Sequence, residues 1–197
     1  MNDERPLVAW DVDDVLNCLT RSWFEHNRGK FPGIDYEMLR ENPPDRLLGI
    51  SRGEYLESLD RFRAEKYAEL EPAPEVLAFL RRYGERFRHA AVTATPRKFA
   101  SVSAAWVMKH FGEWIRSFHF VPSARPECVL PAYAQTKGEV LAGFRGKVIL
   151  IDDTQKNLES ARAAGAEAIA FPAPWNAARN RKTEEVWEKL LNGESLQ

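Results

Sequence analysis

Two short apolar runs that end abruptly in paired acids constrain this chain more than anything else in it. Leu7-Val8-Ala9-Trp10 breaks into Asp11-Val12-Asp13-Asp14, and Val148-Ile149-Leu150-Ile151 breaks into Asp152-Asp153. An uninterrupted apolar run of this length, bounded by polar residues, reads as a strand buried on both faces. Each run therefore delivers carboxylates to the C-terminal edge of a sheet. Similar runs recur at Phe87 to Val92, Ile115 to Val121 and Ala166 to Phe171, with helical spacing between them. That alternation predicts an α/β fold with a parallel sheet between helices and right-handed crossovers, and places the ligand beyond the strands' carboxyl ends.

One predicted helix carries Phe99, Val102 and Trp106, opens on Thr95-Pro96 as cap and first-turn proline, and closes at Gly112. Another starts at Thr136, where Thr136-Lys137-Gly138-Glu139 fits a capping box. A third follows Asp153 through Leu158 and Ala161 to a stop at Gly165. Residues 17–84 break the alternation, with several helical patterns and no strand, and read as a helical cap inserted after the first strand. The core domain is then residues 1–16 and 85–197. Within the cap, Ser51-Arg52-Gly53-Glu54 is a second capping box, opening a helix with Tyr55, Leu59 and Phe62 on one face. Pro72-Ala73-Pro74 starts another, with Val76, Leu80 and Tyr83 on its apolar stripe. Prolines 122, 126 and 131 make the segment from Pro122 to Gln135 a loop on the rim of the site.

Charge narrows the partners. The 28 basic and 29 acidic side chains give a formal net charge of -1 and are spread along the sequence. No global field draws such a chain onto nucleic acid or an anionic membrane, so a small diffusible substrate is expected. The polar first residues lack the apolar core of a secretion signal, and no run is long enough to span a bilayer. Cys18 and Cys128 lie far apart with no ligand spacing around them, as expected of reduced thiols in a cytoplasmic protein.

Asp11 and Asp13, two residues apart at a strand end, suit a nucleophile and a general acid/base. Carboxylates crowded at one edge repel unless a cation neutralises them, and oxygen-only ligands favour magnesium. Adjacent parallel strands would let Asp11 and Asp152 share that ion, with the backbone carbonyl of Asp13 as a further ligand. Asp153 is expected to cap the next helix and to support the site from behind. The plain alternative for the first cluster is a polar turn with Asp14 as a helix cap. Thr93, with backbone amides beside it such as that of Ala94, could hold phosphate oxygens; Thr95 competes but suits a cap better. Lys137 lies in the first turn of its helix, where a cation opposes the macrodipole, and binding an anion would explain it.

Asp11-x-Asp13, then Thr93, then Lys137, then Asp152-Asp153 resemble, in order and setting, the four motifs of the haloacid dehalogenase-like (HAD) superfamily. The resemblance covers essentially the whole chain, including Asn157, Ala161 and Gly165. It implies a Rossmann-like core, a helical cap that closes on substrate, magnesium and an aspartyl-phosphate intermediate. Asp13 is similar to the phosphatase branch, since dehalogenases lack an acid there. Asp14 departs from the glycine often found at its position. Leu48-Gly49-Ile50-Ser51, Pro174-Trp175-Asn176 and Val186-Trp187 resemble landmarks of the 5′(3′)-deoxyribonucleotidase-like family. The expected activity is hydrolysis of a nucleoside monophosphate or similar small phosphorylated metabolite. A sugar phosphate, or a catalytically idle binding module, stand as alternatives. Trp23, Phe24 and Phe31 are cap aromatics for stacking on a base, or else cap interior. Arg179, Arg181 and Lys182 are a nucleotide contact or a solvated loop.

Overall fold

The computed structural model describes residues 4–123 and 134–193. Five parallel strands form one sheet: β1 (Leu7–Trp10), β2 (Arg88–Ala94), β3 (Ile115–Val121), β4 (Val148–Asp152) and β5 (Glu167–Ala170), in the order β3-β2-β1-β4-β5. β1 is central, and Trp10 is in register with Ala91 of β2 and Ile151 of β4. The next residue along β1 is Asp11, so its neighbours across the sheet are the ends of β2 and β4. The α/β architecture with a parallel sheet between helices is the one the alternation predicts.

Side chains alternate between the two faces, and both are buried. Leu7, Ala9, Ala90, Val92 and Leu150 meet Leu141, Leu158 and Ala161 on one side. Val8, Trp10, Ala91 and Ile151 join Phe79, Trp106 and Val186 on the other. The helices are α1 (Leu19–Asn27), α2 (Asp45–Leu48), α3 (Arg52–Lys66), α4 (Pro74–Tyr83), α5 (Arg97–Phe111), α6 (Lys137–Leu141), α7 (Gln155–Ala163) and α8 (Thr183–Asn192). The first three form the cap.

α3 begins at the predicted capping box: the Ser51 hydroxyl accepts from the Glu54 amide, and the Glu54 carboxylate accepts from the Ser51 amide. Its Tyr55, Leu59 and Phe62 are buried, as their spacing requires. Trp23, Phe24 and Phe31 are cap interior, with Trp23 edge-on to Tyr55 and Phe24 stacked on Phe31. Arg179, Arg181 and Lys182 are exposed.

Three expectations need correction. α4 does not pack as cap: Phe79 stacks on Trp187 of α8, 4.6 Å between ring centroids, and also meets Trp10 and Phe87. Asn17 pairs with Pro72 in an isolated antiparallel bridge, and the Ala73 amide donates to the Leu16 carbonyl. The two strands of chain that leave and re-enter the core therefore meet there, and we draw the cap at about residues 17–72 instead of 17–84. Thr95 does not cap α5. Pro96 occupies that position, and the buried Thr95 hydroxyl has no hydrogen-bond partner among the described residues. At α6 the Thr136 hydroxyl caps the Glu139 amide, but the Glu139 carboxylate reaches back to the Gln135 amide, one residue beyond the expected box. Most of the proline-rich loop, and Cys128, lie outside the described residues. No helix among the described residues is long and apolar enough to cross a membrane.

Candidate active site at the carboxyl edge of the sheet

β1 releases Asp11 into a tight turn. Its Oδ1 accepts the Val12 amide at 2.7 Å and lies 2.7 Å from Lys137 Nζ. Asp14 sits at φ 65°, in the left-handed region where a glycine is most at ease and Asp is tolerated. Its carboxylate accepts from the Thr20 amide at 2.8 Å and the Thr20 hydroxyl at 2.5 Å, so Asp14 serves the first turn of α1 from outside the helix, whose N-cap position is Cys18. Asp14 thus turns the chain from strand to cap.

β4 delivers Asp152 and Asp153. One carboxylate oxygen each from Asp11, Asp152 and Asp153 lies within 4.8 Å of the other two, and all three residues are buried. Asp152 is already crowded with donors. Its Oδ1 accepts the Thr154 amide at 2.8 Å, Asn157 Nδ2 bonds both oxygens at 3.1 Å, and Lys137 Nζ lies 2.6 Å from Oδ2. Asp152, rather than Asp153, therefore holds the amide leading into α7, because the last residue of β4 ends directly beneath that helix. Asp153 instead accepts from Trp175 Nε1 at 2.7 Å, while Asn176 Nδ2 donates to its carbonyl. The Pro174-Trp175-Asn176 segment fastens this edge.

Lys137 is buried, with the two carboxylates as its anions. Gly138 makes this possible: a β-carbon there would collide with the Ser160 carbonyl oxygen, so only glycine lets α6 settle against α7. Burial works against the ammonium, yet Asp11 and Asp152 hold its pKa up at about 12. Burial, and then the Asp152 charge, push Asp11 well above the usual carboxylate range despite Lys137. Asp153 is raised by burial, then by Asp152 and Asp14. Enclosure lifts Asp14 to about 7 against the Thr20 hydrogen bonds. More negative charge is gathered here than one ammonium neutralises, and every donor is a hard oxygen, a set that fits magnesium.

Asp13 faces the cap. Its Oδ1 accepts from Tyr67 Oη at 2.6 Å and Asn17 Nδ2 at 3.3 Å, and its Oδ2 from Arg63 Nη2 at 2.7 Å. Thr93 and Ala94, at the end of β2, share one cleft with Asp11, Asp13, Asp153, Asn157 and the cap residues Thr20, Tyr55, Leu59 and Arg63. Asp11, Asp13, Thr93, Ala94, Lys137, Asp152 and Asp153 are thus brought to this one edge, whereas the cap aromatics and the Arg179-Arg181-Lys182 cluster are not. Arg63, Tyr67, Asn17 and Asn157 were missed as site residues. Arg63 left a trace, since it lies four residues after Leu59 on the buried face of α3, where an unpaired charge has no place.

No protein-family model and no curated protein sequence matches the chain. Its fold does have close likenesses among solved structures. A haloacid dehalogenase-like hydrolase of Streptococcus pneumoniae superposes with a TM-score of 0.62 at 17% identity, over 96% of this chain and 100% of the other. A HAD-superfamily hydrolase of subfamily IA from Geobacter sulfurreducens gives 0.52 at 16%, over 96% and 98%. A Bacillus subtilis protein assigned as a HAD hydrolase, YfnB, whose structure is bound to magnesium, gives 0.53 at 14%, over 95% and 99%. The chain shares the α/β fold of these HAD hydrolases.

Proposed function

We propose that this chain is a magnesium-dependent phosphomonoester hydrolase that works through an aspartyl phosphate on Asp11. The observation that carries the proposal is the position of Asp11: at the end of the central strand, against Lys137, within the buried carboxylate cluster, and two residues from an acid held by the cap. Asp11, the Asp13 carbonyl and Asp153 would hold the ion. Asp152 is better suited to fixing Lys137 and Asn157, because donors already occupy both its oxygens. Magnesium supplies positive charge to offset that of the phosphate.

Lys137 and the Val12 amide both engage Oδ1 of Asp11, which leaves Oδ2 to attack phosphorus in line. Thr93, the Ala94 amide and Lys137 hold the phosphoryl oxygens. As the new Asp11–phosphorus bond forms, the bond to the alcohol oxygen breaks and Asp13 gives that oxygen a proton. In the second half, Asp13 takes a proton from water, the water oxygen attacks phosphorus, and Asp11 leaves as carboxylate. The cleft of ≈ 140 Å³ is small beside the ~300 Å³ of an ordinary ligand pocket. A short phosphorylated metabolite suits it better than a nucleoside monophosphate, which would need the cap further open. The test is magnesium-dependent hydrolysis of p-nitrophenyl phosphate and a panel of phosphomonoesters. Asp11→Asn should abolish turnover, and near-normal activity in that variant would sink the covalent mechanism.

A further inference from the structure

Arg63 is a buried cation from the cap whose contacts do not use it up. Its Nη2 lies 2.7 Å from Asp13 Oδ2 and its Nη1 3.8 Å from Asp60 Oδ1. Both acids have other donors: Tyr67 and Asn17 serve Asp13, and Lys98 lies 3.0 Å from Asp60. The buried Arg63 Nε has no hydrogen-bond partner among the described residues, although the side chain lines the reaction cleft with Asp11, Thr93 and Ala94. A buried guanidinium donor left unpaired is costly, and that cost is removed when a ligand oxygen arrives.

Position suggests what that ligand is. A general acid must stand within one hydrogen bond of the leaving oxygen, and Arg63 stands one hydrogen bond beyond the acid. The guanidinium is therefore within about 6 Å of the leaving oxygen, the reach of an anionic group on the first carbon or two of the alcohol. The small cleft excludes a long leaving group, and a planar fork matches a carboxylate. We propose that Arg63 is a specificity-determining residue that selects short phosphomonoesters whose leaving alcohol carries a carboxylate. This rests on the phosphatase reading above.

The test measures binding apart from chemistry. In the Asp11→Asn protein with magnesium, calorimetry compares 2-phosphoglycolate with 2-hydroxyethyl phosphate, a probe of similar length without the carboxylate. The carboxylated probe is expected to bind at least about tenfold more tightly, and the preference to fall within about twofold when Arg63→Gln is added. Arg63→Lys, which keeps the charge but loses the fork, should retain only part of it and serves if the Gln variant does not fold. Equal binding of the two probes, or a preference that survives both Arg63 variants, overturns the proposal. Hydrolysis of p-nitrophenyl phosphate by the parent protein is scored separately, so the phosphatase reading can stand while this one falls.

Discussion

Replacing Lys137 with Met removes the single ammonium buried between Asp11 and Asp152 while keeping most of the side chain's volume. The two carboxylate oxygens that lie 2.7 and 2.6 Å from Nζ then face each other with no cation between them. Breaking a buried pair in this way costs about 3 to 5 kcal/mol, because the partner charge stays buried and uncompensated. For a domain of this size each kcal/mol is worth about 2 to 4 °C, so the metal-free melting point at pH 8 should fall by about 6 to 20 °C. Two conditions should restore part of the loss. Lowering the pH protonates Asp11, which is already pushed above its usual range, and millimolar magnesium puts a cation back among the oxygens. The assay is thermal and urea unfolding of parent and variant, at pH 5 and pH 8, with chelator and with magnesium. A variant as stable as the parent at pH 8 without metal would refute the claim that Lys137 neutralises ionised carboxylates.

At pH 5 Asp14→Gly should change stability by less than about 1 kcal/mol, since losing the hydrogen bonds to Thr20 is offset by relief of the left-handed backbone; at pH 8 the variant should gain relative to the parent because no buried charge forms. Asp14 is raised from 3.8 to about 7 on folding, so the folded state binds its proton more tightly and stability falls as pH rises across that window. Urea midpoints at pH 5 and 8 should show a shallower fall in the glycine variant; an unchanged slope would contradict the assignment. Asp11 and Asp153 have the same sign, so the metal-free parent should lose stability as pH rises through their folded values, and magnesium should flatten the dependence. A metal-free melting point that stays level from pH 5 to 8 would count against it. Gly138→Val should cost about 1 to 3 kcal/mol by forcing α6 off the Ser160 carbonyl, read as a melting point several degrees lower, and a neutral result would mean the helices are not in close contact.

Much of the site is legible in the sequence because its anchors are local. A buried strand that ends in acids must place them at an edge, and Asp11, Asp13, Asp152 and Asp153 follow from that alone. Thr93 and Lys137 were legible through their setting: one lies at the end of a buried apolar run, and the other sits as a cation at the wrong end of a helix dipole. The division of labour between Asp152 and Asp153 was not legible. Adjacent residues at a strand end look alike in sequence, and only the arrival of Lys137, Thr154 and Asn157 at Asp152 distinguishes them. The Thr95 cap failed for a related reason, since Pro96 itself takes the capping position and leaves the hydroxyl buried.

Periodicity and capping act over a few neighbouring residues, so the alternation of strands and helices, the starts of α3 and α6, and the carboxylates at the edge could be read along the chain. Contacts between distant segments fix where the cap ends and what faces the acids from above it. α4 has the apolar stripe of any amphipathic helix, and the contacts of Phe79 with Trp187, Trp10 and Phe87 assign it to the core. Arg63 and Tyr67 lie 50 and 54 residues from Asp13, and no local rule joins them. Their meeting depends on chain folding back at Asn17 and Pro72, a contact between two linkers that carries no periodic signal in the sequence.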